Sequence, residues 1–152
     1  MVTSFLGELM TATHNFGTAP TRGTSATDTF KAALYLASAT VNASTTAYSA
    51  TNEVSGTGYT AGGITVTAAT PPTSTNASAT AGVGFFTPSA SFVYTTVTLS
   101  TAFDCVLVYN STQSNKAVSV HTFGSQTITA GTFTLTMPAN TTTTALLRLA
   151  TT

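Results

Sequence analysis

SGTGYTAGGITVT, residues 55–67, decides the fold. Gly56, Gly58, Gly62 and Gly63 surround Tyr59, and glycine reaches positive φ without steric penalty, so the run marks a tight turn or a close backbone approach. A phosphate cradle would need a helix N-terminus behind the glycines and usually a Lys followed by Ser or Thr. The glycines instead lead into Ile64-Thr65-Val66-Thr67, an apolar/polar alternation with the period of a strand. The loop therefore reads as a structural turn or contact loop between strands. Gly56, Gly58, Tyr59, Gly62 and Gly63 are its candidate contact residues, with the Tyr59 ring expected to pack on the domain or on a partner.

Outward from the loop the same period recurs. Upstream, residues 29–37 alternate Phe30, Ala32, Leu34 and Leu36 with Thr29, Lys31, Ala33 and Tyr35, the pattern of a half-buried strand, and a Thr-rich approach covers residues 42–54. Downstream, Pro71-Pro72 ends the strand begun at residue 63, because proline has no N–H to give a neighbour, and a loop is expected to about residue 82. Strands are next expected at residues 83–86 and 91–100, the latter with Val93, Thr95, Val97 and Leu99 on one face and Phe92 and Tyr94 on the other. Residues 104–109, DCVLVY, are apolar on both faces and read as a central strand, which the turn at 110–115 joins to residues 116–123 as a hairpin. Runs at 132–137 and 145–150 complete seven or eight strands.

Short strands joined by Gly, Pro and Asn turns predict an all-β chain built as a two-sheet sandwich, with a jelly roll preferred and an immunoglobulin-like sandwich the alternative. The latter often carries a tryptophan and a cysteine pair, and this chain has no Trp and a single Cys. Residues 1–27 read as an N-terminal arm, with a short helix that Ser4 could cap, and residues 28–152 as one domain. A chain of 152 residues can bury about 70% of the surface its unfolded form exposes, so a full core is within reach.

Composition narrows the function. Charged residues are 5% of the chain, four basic against four acidic, while about a quarter of the residues are threonine, a strong strand former. Without net charge to keep copies apart, such a chain suits lasting association. Arg22, Lys31, Lys116 and Arg148 are scattered, so no basic patch for nucleic acid can be read. No apolar run approaches the ~20 residues of a membrane helix, and the first ten residues lack the basic start of a signal peptide. Cys105 reads as a small buried side chain on a strand.

Residues with catalytic chemistry are few. His14 and His121 lie far apart, the carboxylates Glu8, Asp28, Glu53 and Asp104 stand isolated in sequence, and no HExxH, GxSxG or CxxC spacing occurs. The reading is of a protein that is not an enzyme, with no catalytic residue, cofactor or metal called for. His121 shares a strand face with Ser119 and Phe123, as a surface or hydrogen-bonded imidazole would.

Two segments carry a resemblance. DTFKAALYLASATVNASTTAYSATNEVSGTGYTAGG, residues 28–63, and the later VYNSTQSNKAV, residues 108–118, resemble a group of small virion structural proteins of tailed bacteriophages, most specifically through TNEVSGTGYTAGG. The resemblance covers about a third of the chain, in colinear order. Members carry an aromatic-rich strand with a tryptophan between these segments, where this chain reads SFVYTTVTLS. The resemblance implies an all-β virion component without fixing its place in the particle; five tyrosines, no tryptophan and few acids weaken glycan binding, so the expectation is a capsid cement or decoration protein. Such a protein bridges major capsid protein subunits on the outer surface of the head and self-associates as a dimer or trimer. It is made in the host cytoplasm and contacts neither nucleic acid nor membrane. The alternative is a tail or fibre component that binds a host-surface glycan.

Overall fold

The computed structural model describes residues 2, 4, 5, 9, 13, 14, 16, 28–67, 73–75 and 82–150. Among these residues seven strands run in chain order as β1 (Phe30–Leu36), β2 (Ile64–Thr65), β3 (Thr73–Thr75), β4 (Val83–Phe86), β5 (Phe92–Asn110), β6 (Lys116–Leu135) and β7 (Leu147–Ala150). They make two antiparallel sheets, ordered β2-β1-β5-β6 and β3-β4-β7, so the chain is all-β as its alternation requires. Two compact units interleave along the sequence. Unit 1 comprises Met1–His14, Asp28–Val66 and Phe92–Leu135, and unit 2 comprises Asn15–Thr27, Thr67–Ser91 and Thr136–Thr152.

Within unit 1, the runs expected as separate strands fuse into two long ones. The runs expected at 91–100 and 104–109 merge into β5, and those expected at 116–123 and 132–137 merge into β6, which ends at Leu135; the turn expected at 110–115 spans 111–115, because Asn110 is still in β5. This ribbon folds back on itself. Tyr94 and Val108 would lie about 45 Å apart on a straight strand. Yet the Tyr94 hydroxyl donates to the Ala32 carbonyl at 2.8 Å, and Ala32 is the ladder partner of Val108. Phe103, Phe123 and Phe133 meet in the same fold, with Phe133 centroids 5.1 Å from Phe103 and 5.0 Å from Phe123. The bending is done by bulges, with register shifts at Tyr94/Val97, Val97/Leu99, Leu99/Phe103 and Phe103/Cys105 and positive φ at Thr96 and Ala130. The sheet thus curls over on itself, and β1, hydrogen-bonded within it to β2 and β5, is buried on both faces rather than half-buried.

The same bulges correct the face expected for β5. Phe92 and Tyr94 are buried together with Val97 and Leu99, whereas Val93 is 40% exposed and Thr95 exposed. Thr96, at φ 53, adds the residue that switches the alternation.

Unit 2 pairs β4 with both β3 and β7. β3 lies inside the stretch expected to be loop, and the rest of the 71–82 expectation falls outside the described residues apart from Gly82. Phe86 and Ala145 are buried, and the Thr87 hydroxyl accepts the Leu146 N–H at 3.0 Å. The first residues are not held apart from the rest. Val2, Phe5 and His14 are buried in unit 1, with Val2 N donating to Val118 O at 3.1 Å, and Phe16 packs on Phe86 in unit 2 at 5.1 Å. Ser4, Phe5 and Leu9 are helical, where a short helix was expected.

Candidate functional site

The glycine loop is seated on unit 1 by a buried carboxylate. Glu53, 9% exposed, opens the loop from a bridge to Tyr35 and accepts three hydrogen bonds: from the Tyr48 hydroxyl at 2.6 Å, from the Tyr59 hydroxyl at 2.7 Å and from the Gly62 amide at 2.8 Å. Hydrogen bonds to an ionised acceptor are worth about 1.5–3 kcal/mol each, so a buried carboxylate fully supplied with donors is a strong local lock.

All five tyrosines gather here. Tyr59 also accepts the Leu34 N–H at 3.0 Å and stacks on Tyr94, Tyr109 donates to Gly62 O at 2.8 Å and stacks on Tyr48, and Tyr35 donates to Ser49 O. The Leu34 carbonyl meanwhile accepts Val54 N at 3.0 Å. Along this edge of β1, phenols and a loop amide therefore satisfy backbone groups that a further strand would otherwise pair. Burial pushes every phenol upward, Tyr35 to about 12, and the Glu53 charge adds to the effect in each case. The tyrosines stay protonated and act as donors.

The glycines explain how the loop comes so close. A Cβ on Gly63 would stand 1.8 Å from the Ala32 carbonyl oxygen, and one on Gly58 2.4 Å from that of Thr96, with both residues at positive φ. At Gly56 the clash would be with Thr98 O, at 2.1 Å, beside the Thr57/Thr98 bridge that fastens the loop to β5. Of the five candidate contact residues, Gly62 and Gly63 are buried, Tyr59 is half-buried, and Gly56 and Gly58 are exposed. The structure brings all five together around one seam between the loop, β1 and β5. On its outer side lies a groove of about 320 Å³ lined by Gly58, Tyr59, Thr60, Ile64, Val93 and Thr95, without a charged side chain.

Glu53 and Asp28 stand isolated in sequence, yet each proves to be the centre of a network. Asp28 takes Asn110 Nδ2 at 2.8 Å and Gln113 Nε2 at 3.0 Å. Asn110, fully buried, receives the Thr112 and Gln113 amides on Oδ1 and meets His14 Nδ1 at 3.0 Å through Nδ2. Two amide donors on Oδ1 fix the orientation of the Asn110 side chain, and its Nδ2 then makes His14 Nδ1 an acceptor. This second network locks the β5–β6 turn to the chain entering β1. His121 bonds Ser119 Oγ through Nε2 at 2.9 Å, and burial pushes its imidazole down to about 4. Cys105 is buried on β5, as expected, and burial foremost, then Asp104, pushes its thiol up to about 11.

Among the described residues no group of three or more His, Cys, Asp or Glu could hold a metal ion, and no helix is long and apolar enough to cross a membrane. Compared with known proteins, the chain matches no family model, no curated protein and no solved structure.

Proposed function

We propose that the chain is a bacteriophage virion structural protein that acts as a capsid cement or decoration protein. On this reading it sits on the outer surface of the head, bridges neighbouring major capsid protein subunits and strengthens the shell without catalysing a reaction. One observation carries the reading: the exterior carries little charge and no fully exposed aromatic ring. Nine of the fourteen phenylalanine and tyrosine rings are buried, Phe16, Tyr48, Tyr59, Phe85 and Phe123 are half-buried, and Val93 and Leu149 are the only large hydrophobic residues exposed among those described. A surface of Thr, Ser, Asn and backbone groups lacks the titratable clusters of an active site and suits a permanent neighbour met over a broad area. The resemblance of residues 28–63 and 108–118 to small virion proteins of tailed phages points the same way.

The alternative, a tail or fibre component binding a host glycan, loses ground on the same observation. Sugar recognition commonly presents aromatic faces to solvent, and here all five tyrosine hydroxyls are engaged within the protein, Tyr48 and Tyr59 on Glu53 and Tyr35, Tyr94 and Tyr109 on backbone carbonyls.

The test is a differential wash of the virions whose genome encodes the chain. Coulombic attachment weakens as the screening length falls from ~10 Å at 0.1 M salt to ~3 Å at 1 M, while apolar and backbone contacts yield to urea or guanidinium. The protein should stay on particles in about 1 M NaCl and leave in mild denaturant. Loss in salt alone would count against this mode of attachment.

A further inference from the structure

We propose that β6 is an interface strand, and that the free edge at residues 131–135 pairs antiparallel with the same edge of a second copy of this chain. With no tryptophan in the chain, no fully exposed tyrosine and Arg148 the one exposed arginine among the described residues, the surface has few of the usual anchors of a specific interface, which are Trp, Tyr and Arg. Backbone hydrogen bonding along a strand edge needs none of them.

β6 supplies such an edge. It is the terminal strand of its sheet, paired on one side with β5. Its opposite side is covered at the start by the chain itself, where Ala117 N donates to Thr46 O at 3.0 Å and Val118 O accepts from Val2. From Ser119 to Leu135 that side has no backbone partner among the described residues. Natural edge strands are blunted by charges, prolines or bulges. Lys116, at the covered end, is the one charged residue of β6, and the strand contains no proline. Bulges do disturb its middle, where Ala130 takes φ 47. Past them the register advances three residues on β5, from Tyr94 to Val97, against two on β6, from Phe133 to Gly131, so the extra residue belongs to β5 and β6 stays regular over 131–135.

This run is complementary to itself. In a two-fold antiparallel pair centred on Phe133, each Thr132 faces the Thr134 of the other copy, and Thr–Thr pairs are among the favourable cross-strand neighbours. Both threonines are exposed while Phe133 points into the core, so the pairing leaves the interior of unit 1 untouched. No charged side chain lies on the run, so two copies approach without like-charge repulsion.

The experiment is sedimentation analysis of the purified full chain at about 100 μM, a concentration that populates even a micromolar complex. Wild type should sediment at twice the 15.4 kDa chain mass. The double variant Thr132→Lys with Thr134→Lys places lysine against lysine across the two-fold and should be monomeric. Thr132→Lys with Thr134→Glu places lysine against glutamate twice and should restore the dimer. Circular dichroism and unfolding midpoints close to wild type would show that both variants fold. A monomeric wild type, or a Lys/Lys variant that stays dimeric, overturns the interface. A Lys/Glu variant as monomeric as Lys/Lys overturns the two-fold at Phe133. The result concerns the isolated chain, so it is independent of whether the protein is found on a capsid.

Discussion

The Tyr59 hydroxyl donates to Glu53 Oε1 at 2.7 Å, and the same oxygen accepts the Gly62 amide at 2.8 Å, so one carboxylate oxygen fixes both the ring and the turn of the glycine loop. Through Tyr59 the carboxylate also reaches Leu34 N on β1 and the ring of Tyr94 on β5. Three sequence segments are held through one part-buried hydrogen bond.

Removing that acceptor should therefore be costly. Glu53→Ala strands two phenols and an amide, at about 1–3 kcal/mol for each buried group left without a partner. An overall loss of about 3–5 kcal/mol is expected, a large share of the 5–15 kcal/mol by which domains are stable. Glu53→Gln keeps the shape but turns an NH2 toward a donor, and should lose about 1–3 kcal/mol. Urea unfolding followed by tyrosine fluorescence measures both. Equal stability of the alanine variant and wild type would show that the network does not hold the loop.

Glycine replacements should divide by backbone geometry. Gly63→Ala meets Ala32 O, and Gly58→Val meets Thr96 O, each at positive φ, so both should fail to fold or unfold at much lower denaturant. Gly62→Val, at φ +87 and 3.1 Å from the Tyr109 hydroxyl, should cost about 1–2 kcal/mol from the backbone alone. Gly124, where an added Cβ would meet nothing within 4 Å, is the control, and its alanine variant should unfold like wild type. If Gly63→Ala matched Gly124→Ala, the close approach of loop and β1 would be refuted.

The location of some strands was readable because alternation reports burial, and residues 30–36 and 83–86 emerge within a residue of expectation, whereas β3 emerges in an expected loop. The fold-back of β5 and β6 was not readable. A bulge is one residue of altered φ, and at Thr96 no glycine or proline announces it, while at Ala130 the one cue is the following Gly131. The loop glycines announce themselves, whereas Glu53 inside the same motif does not. Its signal is its setting, a lone acid six residues before Tyr59 and nine before Gly62 in a chain with four acids. Asp28 and His14 give no local sign, because their common partner Asn110 lies 82 and 96 residues away.

Titration offers an independent check on the tyrosine cluster. Each phenol is pushed above its ordinary value of about 10, so the folded form favours the neutral ring. The associated stability is fully present below pH ~10 and is lost as pH rises through the folded values, which for Tyr35 is about 12. Phenolate absorbance at alkaline pH should stay low near pH ~10 and then rise together with unfolding, while the chain in denaturant titrates near ~10. Any tyrosine ionising near pH ~10 in the folded protein would remove it from the buried cluster.

The N-terminal residues should matter for stability and not only for docking. Phe5 is 2% exposed and its ring lies 4.8 Å from that of His14, so Phe5→Ala is expected to cost about 3–5 kcal/mol, in the range of large-to-small core changes. Thermal and urea unfolding of the variant decide the point. An unchanged midpoint would return the first residues to the role of a separable arm.

The proposed place on the capsid is tested most directly by stoichiometry, measured by quantitative mass spectrometry of purified virions whose genome encodes this chain. A cement protein follows the shell, so the chain should occur in a fixed, simple ratio to the major capsid protein across preparations and persist on tailless heads. Absence from the particle, or an amount that follows the tail proteins and vanishes from tailless heads, would contradict the account.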